Sequence, residues 1–131
     1  MELLKIQIVL LHISTVLSTG EFVRLVNGSR PNQGRVEIYH NGQWGTICDD
    51  GFRDDEARAV CRALGYRDGN PFTSAYFGRG SGHIFVDDLQ CSSTYPTVNI
   101  LVLGTIQCTF SGWGVSNCSH SEDVGVECES R

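Results

Sequence analysis

The chain has 131 residues, a formal net charge of −5 and six cysteines. The acidity argues against a nucleic-acid partner, because a negatively charged protein and the phosphate backbone repel each other at long range. The length is that of one domain, and an even number of cysteines favours a disulfide-bonded protein of an oxidising, extracellular compartment.

The N-terminus has the layout of a secretory signal peptide. A basic residue precedes an apolar run over residues 6–17, and small residues follow it. An uncleaved membrane anchor is the alternative, but Gln7 and His12 interrupt a run that is already short for a bilayer core of about 30 Å. We therefore predict a signal peptide over residues 1–20, a single domain over 21–131 with no membrane span, and a secreted or extracellular product.

Alternating apolar and polar residues predict strands in the next part of the chain. Residues 22–26 alternate and stop at Asn27-Gly28-Ser29, which is typical of an edge strand and a turn. Residues 34–40 and 43–48 alternate on either side of Asn41-Gly42, a pair that tolerates the positive φ angles of a type I′ turn. We therefore predict a β-hairpin at Asn41-Gly42.

An amphipathic helix is predicted over residues 53–65, closed by Gly65. Its apolar positions recur at i, i+3, i+4 and i+7: Ala57, Val60, Cys61 and Leu64. Three carboxylates open it, where they cap a helix and interact favourably with its dipole: Asp54, Asp55 and Glu56. Arg58 and Arg62 then lie one turn apart on the outer face.

The C-terminal half adds two predicted strands. Residues 83–91 read as a strand that ends in an acidic turn, and residues 124–128 alternate again. The glycine-rich segment 78–82 has neither the lysine nor the following helix of a phosphate-binding loop. Strands dominate and one helix is clear, so the predicted fold class is α+β.

Several motifs occur in one order along the chain: Gly34-Arg35-Val36-Glu37, Gly42-Gln43-Trp44-Gly45-Thr46-Ile47-Cys48-Asp49-Asp50, Ala59-Val60-Cys61-Arg62-Ala63-Leu64-Gly65, Tyr76-Phe77-Gly78 with Gly80-Ser81-Gly82, Asp87-Asp88, and His120-Ser121-Glu122-Asp123-Val124-Gly125-Val126. Together they resemble the scavenger receptor cysteine-rich (SRCR) domain, at the family's spacing except in one interval. The resemblance implies a curved antiparallel β-sheet that cradles one α-helix, and binding rather than catalysis.

The cysteines are similar to the six-cysteine, group A-like pattern of this family. Asn32 and Tyr66 stand at the positions that an additional bridge occupies in eight-cysteine members. Sequence alone leaves the connectivity open, and the resemblance implies three bridges: Cys48–Cys118, Cys61–Cys128 and Cys91–Cys108.

The interval that departs from the family lies over residues 92–107. It is several residues longer than usual, and its apolar stretch at 95–103 stands where the family has a short polar loop. If exposed, this stretch would be a partner site or an aggregation liability. A splicing or gene-model artefact is an equally good explanation of the surplus.

Acidic clusters suggest weakly bound Ca²⁺, or Mg²⁺, since hard cations need several oxygen ligands. The resemblance implies one cation site at Asp49, Asp50 and Glu122, and a second at Asp87, Asp88 and Asn117. An affinity of about 10⁻⁴ to 10⁻³ M is expected, as in extracellular modules. A cation with open coordination positions would bridge to anionic groups of a ligand. The alternative is that Asp49, Asp50, Asp87 and Asp88 are solvated turn and capping residues.

After the leader, arginine is the only basic residue apart from histidine, and its planar fork suits sulfate, phosphate and carboxylate groups. Candidates for direct anion contact are Arg58, Arg62 and Arg79, with a solvated surface as the alternative. Asn27-Gly28-Ser29 and Asn117-Cys118-Ser119 are glycosylation sequons. We assign glycosylation to Asn27, because a glycan on Asn117 would obstruct the second cation site.

These features predict a secreted recognition module of the scavenger receptor type, with a role in innate immunity. Its expected partner is a polyanionic polysaccharide or another microbial or host ligand, bound with Ca²⁺ assistance. The alternative is an extracellular protein partner, with the chain as one SRCR unit or fragment of a larger membrane receptor. No enzyme is expected, because the sequence has no two-cysteine zinc knuckle or serine nucleophile elbow, and three histidines lack a helical zinc spacing: His40, His83 and His120.

Overall fold

The computed structural model describes residues 18–19, 22–92 and 99–130, so that nearly all of the predicted signal peptide lies outside the described residues. The described part contains one α-helix, α1 (Asp54–Ala63), and a turn of 3₁₀-helix at His120–Glu122. Its strands are β1 (Ser18–Thr19), β2 (Val23–Asn27), β3 (Gln33–His40), β4 (Gln43–Ile47), β5 (Asp68–Phe72), β6 (Ile84–Val86), β7 (Ile100–Leu103), β8 (Ile106–Thr109) and β9 (Gly125–Glu129). No helix in these ranges is long and apolar enough to cross a membrane.

Seven strands form one curled sheet around the helix, which confirms the predicted α+β fold class. Strands β1, β2, β3, β4 and β6 follow one another across the sheet, and β9 joins it by pairing with both β3 and β5. All pairs are antiparallel except β4 with β6, which is parallel. A parallel pair needs a long crossover connection, and the segment that contains α1 and β5 provides it.

The predicted hairpin is present between β3 and β4. Its turn residues Asn41 and Gly42 have φ angles of 51° and 78°, the positive values that a type I′ turn requires. Tyr39 pairs with Trp44 and His40 with Gln43 across the two strands. The hairpin predicted from the local turn chemistry is therefore confirmed.

The helix begins as predicted, with Glu56 as the main capping group. The Arg53 backbone N–H donates to Glu56 Oε1 at 2.9 Å, while the Cys91 backbone N–H donates to Glu56 Oε2, also at 2.9 Å. Glu56 is only 3% exposed, and both of its oxygens have a donor, which is how a carboxylate is buried without a large penalty. The same side chain thus caps α1 and holds the segment before the extra loop.

The three disulfides join the pairs that the resemblance implies: Cys48–Cys118, Cys61–Cys128 and Cys91–Cys108. The Cys61–Cys128 bridge ties the inner face of α1 to β9, and both residues are buried in the core. At Asn32, one of the two positions to which the resemblance assigns an additional bridge in eight-cysteine members, the side-chain amide donates to the Cys128 carbonyl at 2.9 Å and the Cys128 N–H donates to the Asn32 carbonyl at 2.7 Å.

The described end of the longer interval contributes to a second, two-stranded sheet made of β7 and β8. Leu101 and Leu103 on β7 are 9% and 2% exposed and join the core, whereas Ile100 and Val102 are 46% and 56% exposed. The described part of the apolar stretch therefore buries one side and leaves the other at the surface. Residues 93–98 of this interval lie outside the described residues.

Candidate functional site

Three carboxylates from two distant parts of the chain meet beside the Cys48–Cys118 disulfide. One carboxylate oxygen from each of Asp49, Asp50 and Glu122 lies within 4.8 Å of the others. Backbone pairing creates this proximity. Cys48 and Asp123 form an isolated antiparallel β-bridge, and the Asp49 N–H donates to the Glu122 carbonyl at 2.9 Å. The disulfide then ties the segment of Cys118 to the same place.

These carboxylates have few donors within the described part of the chain. The Ser74 N–H donates to Asp49 Oδ2 at 2.8 Å, and the Ser119 N–H lies 3.5 Å from Glu122 Oε1. Glu122 Oε2 and Asp50 Oδ2 approach the sulfur atoms of the bridge at 3.5 and 3.4 Å. Those sulfur atoms carry no proton, so the contacts are not hydrogen bonds. The oxygen-only donor set that results fits a hard cation such as Ca²⁺.

The second predicted group is brought together only in part. An oxygen of Asp87 lies within 4.8 Å of one from Asp50. Burial, followed by the negative charges of Asp87 and Asp50, raises the pKa of Asp88 above its usual value. Asn117 is exposed, and its side-chain oxygen lies 3.6 Å from the Cys118 sulfur. Asp50 is therefore the residue that the two groups share.

A partly buried ion pair between His120 and Asp123 supports the turn that carries Glu122. Asp123 is 1% exposed, and its Oδ2 accepts a hydrogen bond from the Gly80 N–H at 2.7 Å and contacts His120 Nδ1 at 2.8 Å. His120 Nε2 lies 2.9 Å from the Gly82 carbonyl. Burial opposes the charged imidazole, but the bonds to Gly82 and Asp123 outweigh it and raise the pKa of His120 above 6.5. The His120-Ser121-Glu122-Asp123 motif is visible in the sequence, but the pairing of His120 with Asp123 was not predicted from it.

This ion pair predicts a stability that falls with rising pH. Because the pKa of His120 is higher in the folded state than in the unfolded state, its contribution is complete below about pH 6.5 and is lost as the pH rises through the folded value. In the presence of a chelator, we expect the melting temperature to decrease across this window, and His120→Gln to remove most of that decrease. Thermal denaturation at several pH values measures both. An equal pH dependence in the variant would contradict the assignment.

The three predicted anion-binding arginines do not form one site. Arg58 lies on α1 and contacts Asp55 at 3.3 Å and Asp68 at 3.2 Å. Arg62 donates from Nε to the Arg67 carbonyl at 3.1 Å. Arg79 instead lines a surface cleft on the other face of the sheet. Their role in anion contact stays a prediction, and the geometry favours Arg79.

Asn27, the predicted glycosylation site, ends β2 with a φ angle of 70°. The residue is exposed, and its amide donates to the Phe77 carbonyl at 2.8 Å. Glycosylation here stays a prediction.

Comparisons with known proteins agree on one family. A family model described as the scavenger receptor cysteine-rich domain matches residues 26–129. Lysyl oxidase homolog 4 is 46% identical over 104 residues in Homo sapiens and 46% identical over 111 residues in Mus musculus. These matches cover 79% and 83% of the chain, but the chain spans only 13% and 14% of those relatives.

Two solved structures share the fold. The third SRCR domain of murine neurotrypsin has a TM-score of 0.68 at 44% identity, covering 82% of this chain and 94% of that one. The dimeric form of the SRCR domain of mouse MARCO has a TM-score of 0.62 at 43% identity, covering 75% of this chain and 87% of that one.

Proposed function

The chain belongs to the scavenger receptor cysteine-rich family, whose domains are extracellular, non-catalytic recognition modules, and from this premise we propose that it binds polyanionic ligands with the assistance of Ca²⁺. The proposed ligands are microbial or host polysaccharides that carry sulfate, phosphate or carboxylate groups. The proposed setting is a secreted or receptor-borne module of innate immunity.

The observation that carries this proposal is the convergence of Asp49, Asp50 and Glu122 at one disulfide. Carboxylates this close repel one another, and a bound cation relieves the repulsion. Because the protein supplies few ligands, the cation would retain open coordination positions for an anionic group of the ligand. This reconciles a chain of net charge −5 with the capture of polyanions.

Removing two of these carboxylates should abolish stabilisation by Ca²⁺. For the unaltered protein, we expect a Kd of about 10⁻⁴ to 10⁻³ M and a melting temperature that rises with millimolar Ca²⁺. The double variant Asp50→Asn and Glu122→Gln should lose both effects, because it removes two of three ligands. Calorimetric titration and thermal denaturation measure the two quantities.

A matched control is Asp54→Asn with Asp55→Asn, which removes the same charge from the first turn of α1. It should retain the response to Ca²⁺. No heat and no melting shift for the unaltered, oxidised protein would overturn the cation site. Polyanion binding that is equal with and without chelator would overturn Ca²⁺ assistance.

An extracellular protein partner is the second candidate, favoured by an apolar surface around the extra hairpin. Phe22, Tyr39, Val102 and Trp113 are 50%, 41%, 56% and 38% exposed. They line a cavity of about 250 Å³ together with His40. Exposed apolar patches of this kind often mark protein interaction sites.

Val102→Asp should then abolish capture of a protein partner while leaving polyanion binding unchanged. A variant that still captures the protein partner but no longer binds polyanions would reject this alternative.

A further inference from the structure

The loop that follows β5 holds two consecutive residues in the left-handed region of backbone conformation. Ser74 and Ala75 have φ angles of 57° and 53°. Neither residue is glycine, and the left-handed conformation brings the Cβ of an ordinary residue too close to the following carbonyl oxygen. Such a conformation persists only where surrounding contacts hold it, and residues of this kind cluster at binding and catalytic sites. The loop is therefore a candidate binding element.

Two hydrogen bonds hold this strained pair, and both lead to the proposed cation site. The Ser74 N–H donates to Asp49 Oδ2 at 2.8 Å. The Ala75 N–H donates at 3.0 Å to the carbonyl of Asp123, the residue that follows Glu122. The loop is thus fastened to one residue of the proposed cation site and to the neighbour of another.

The same loop presents Tyr76 to the solvent. Tyr76 is 68% exposed, the largest value among the exposed large apolar and aromatic side chains of the described residues. Its ring centre lies 4.8 Å from that of Phe72 and 4.9 Å from that of Phe77. Phe77 is 9% exposed, and its ring lies directly against Gly125 of β9. Two neighbouring rings therefore hold Tyr76 in position while most of its own surface stays open.

The Tyr76 side chain combines an apolar ring with a free polar group. Within the ranges that the structure describes, no hydrogen bond to the Tyr76 hydroxyl is present. A tyrosine has only two side-chain torsion angles, so that fixing it on binding costs little conformational entropy. A sugar ring has the matching chemistry, because its C–H groups form an apolar face that packs on an aromatic ring and its hydroxyl groups exchange hydrogen bonds with a phenol.

The neighbouring carboxylates narrow the class of ligand. A hard cation prefers oxygen ligands, so its open coordination positions favour a sulfate, phosphate or carboxylate group. Tyr76 lies two residues after Ser74, a backbone distance of at most about 7 Å, so that one ligand of a few sugar units can contact both places. An anionic polysaccharide supplies charged groups together with apolar ring faces, whereas a polyanion without rings supplies only the charge.

We propose that Tyr76 is a saccharide-binding residue, which stacks on a sugar ring of an anionic polysaccharide while a cation held by Asp49, Asp50 and Glu122 binds the charged group of that ligand. This inference rests on the proposed function and deepens it, because it requires a polyanion built from sugar rings. The stacked ring adds affinity without adding charge. Two contacts with one ligand also reinforce each other, since the second forms at a high effective concentration.

The test is calorimetric titration of the oxidised protein in millimolar Ca²⁺ with two polyanions: dextran sulfate, which has sugar rings, and inorganic polyphosphate, which has none. Tyr76→Ala should weaken the binding of dextran sulfate about fivefold, because an aromatic contact is lost, and should leave the binding of polyphosphate within about twofold. Tyr76→Phe keeps the ring and is the matched control, which should bind dextran sulfate within about twofold of the unaltered protein. Ile100→Ala, which shortens an exposed side chain on β7, should affect neither ligand.

The two ligands separate failure of this inference from failure of the proposed function. An unchanged affinity of Tyr76→Ala for dextran sulfate would overturn the role of Tyr76, including the case in which its ring serves a protein partner. Equal losses for both polyanions, or loss of the melting shift with Ca²⁺, would show that the variant disturbs the carboxylates and would also overturn stacking. No binding of either polyanion to the unaltered protein would reject the proposed function, and this inference with it.

Discussion

Replacing Cys61 and Cys128 together by alanine should lower the free energy of unfolding by about 4 kcal/mol. The bridge closes a loop of 67 residues, so its removal releases a large conformational entropy in the unfolded chain. It also leaves a gap between α1 and β9, because both cysteines are buried in the core and the Cys61 sulfur packs against Gly69. Urea denaturation of the purified protein, monitored by circular dichroism, measures the loss.

The bridge between Cys91 and Cys108 provides the comparison. It closes only 17 residues, and the same relation gives about 3 kcal/mol for its removal. Cys91→Ala with Cys108→Ala should therefore destabilise the protein less than the Cys61 and Cys128 pair. The reverse order would mean that packing around the extra hairpin, rather than loop length, controls the contribution of these bridges.

Leu103→Ala should destabilise the protein by about 3 kcal/mol, the typical cost of a cavity at a buried leucine. Leu103 is 2% exposed and packs into the core from β7. Val102→Ala, on the adjacent residue of the same strand, is the matched control and should cost less than about 0.5 kcal/mol, because Val102 is 56% exposed. Chemical denaturation of the two variants under identical conditions gives both values.

This pair of variants decides the role of the longer interval. A large difference between them means that the hairpin of β7 and β8 is part of the cooperative fold. Equal, small effects would show that the interval adds nothing to stability, as expected if its surplus residues were an artefact of splicing or of the gene model.

Local chemistry made several elements predictable. Asn41-Gly42 predicted the hairpin because two consecutive positive φ angles cost these residues little conformational free energy. The spacing of Ala57, Val60 and Cys61 gave the helix and its buried face. The family resemblance implied which cysteines pair, a connectivity that periodicity and spacing alone left open.

Other features depended on contacts between distant residues. Nothing local indicates that β6 pairs in parallel with β4, since that pairing depends on how the segment through α1 and β5 crosses the sheet. The apolar stretch over 95–103 was predicted to be a surface patch if exposed, and in its described part alternation along β7 exposes Ile100 and Val102 but buries Leu101 and Leu103. The ion pair of His120 with Asp123 was missed because its environment includes the loop at Gly80 and Gly82.

The sequence by itself determined the turn types, the start of the helix and which residue types are available for binding, since these depend on neighbours along the chain. The family resemblance implied the group of Asp49, Asp50 and Glu122, but only the tertiary structure decided that Asp50 also lies near Asp87 and which arginine lines a cleft. Arg58 and Arg79 are alike in sequence terms, but one is paired with Asp55 and Asp68 while the other faces an open cleft. Charge acts through space, and the distances that set its strength are created by folding.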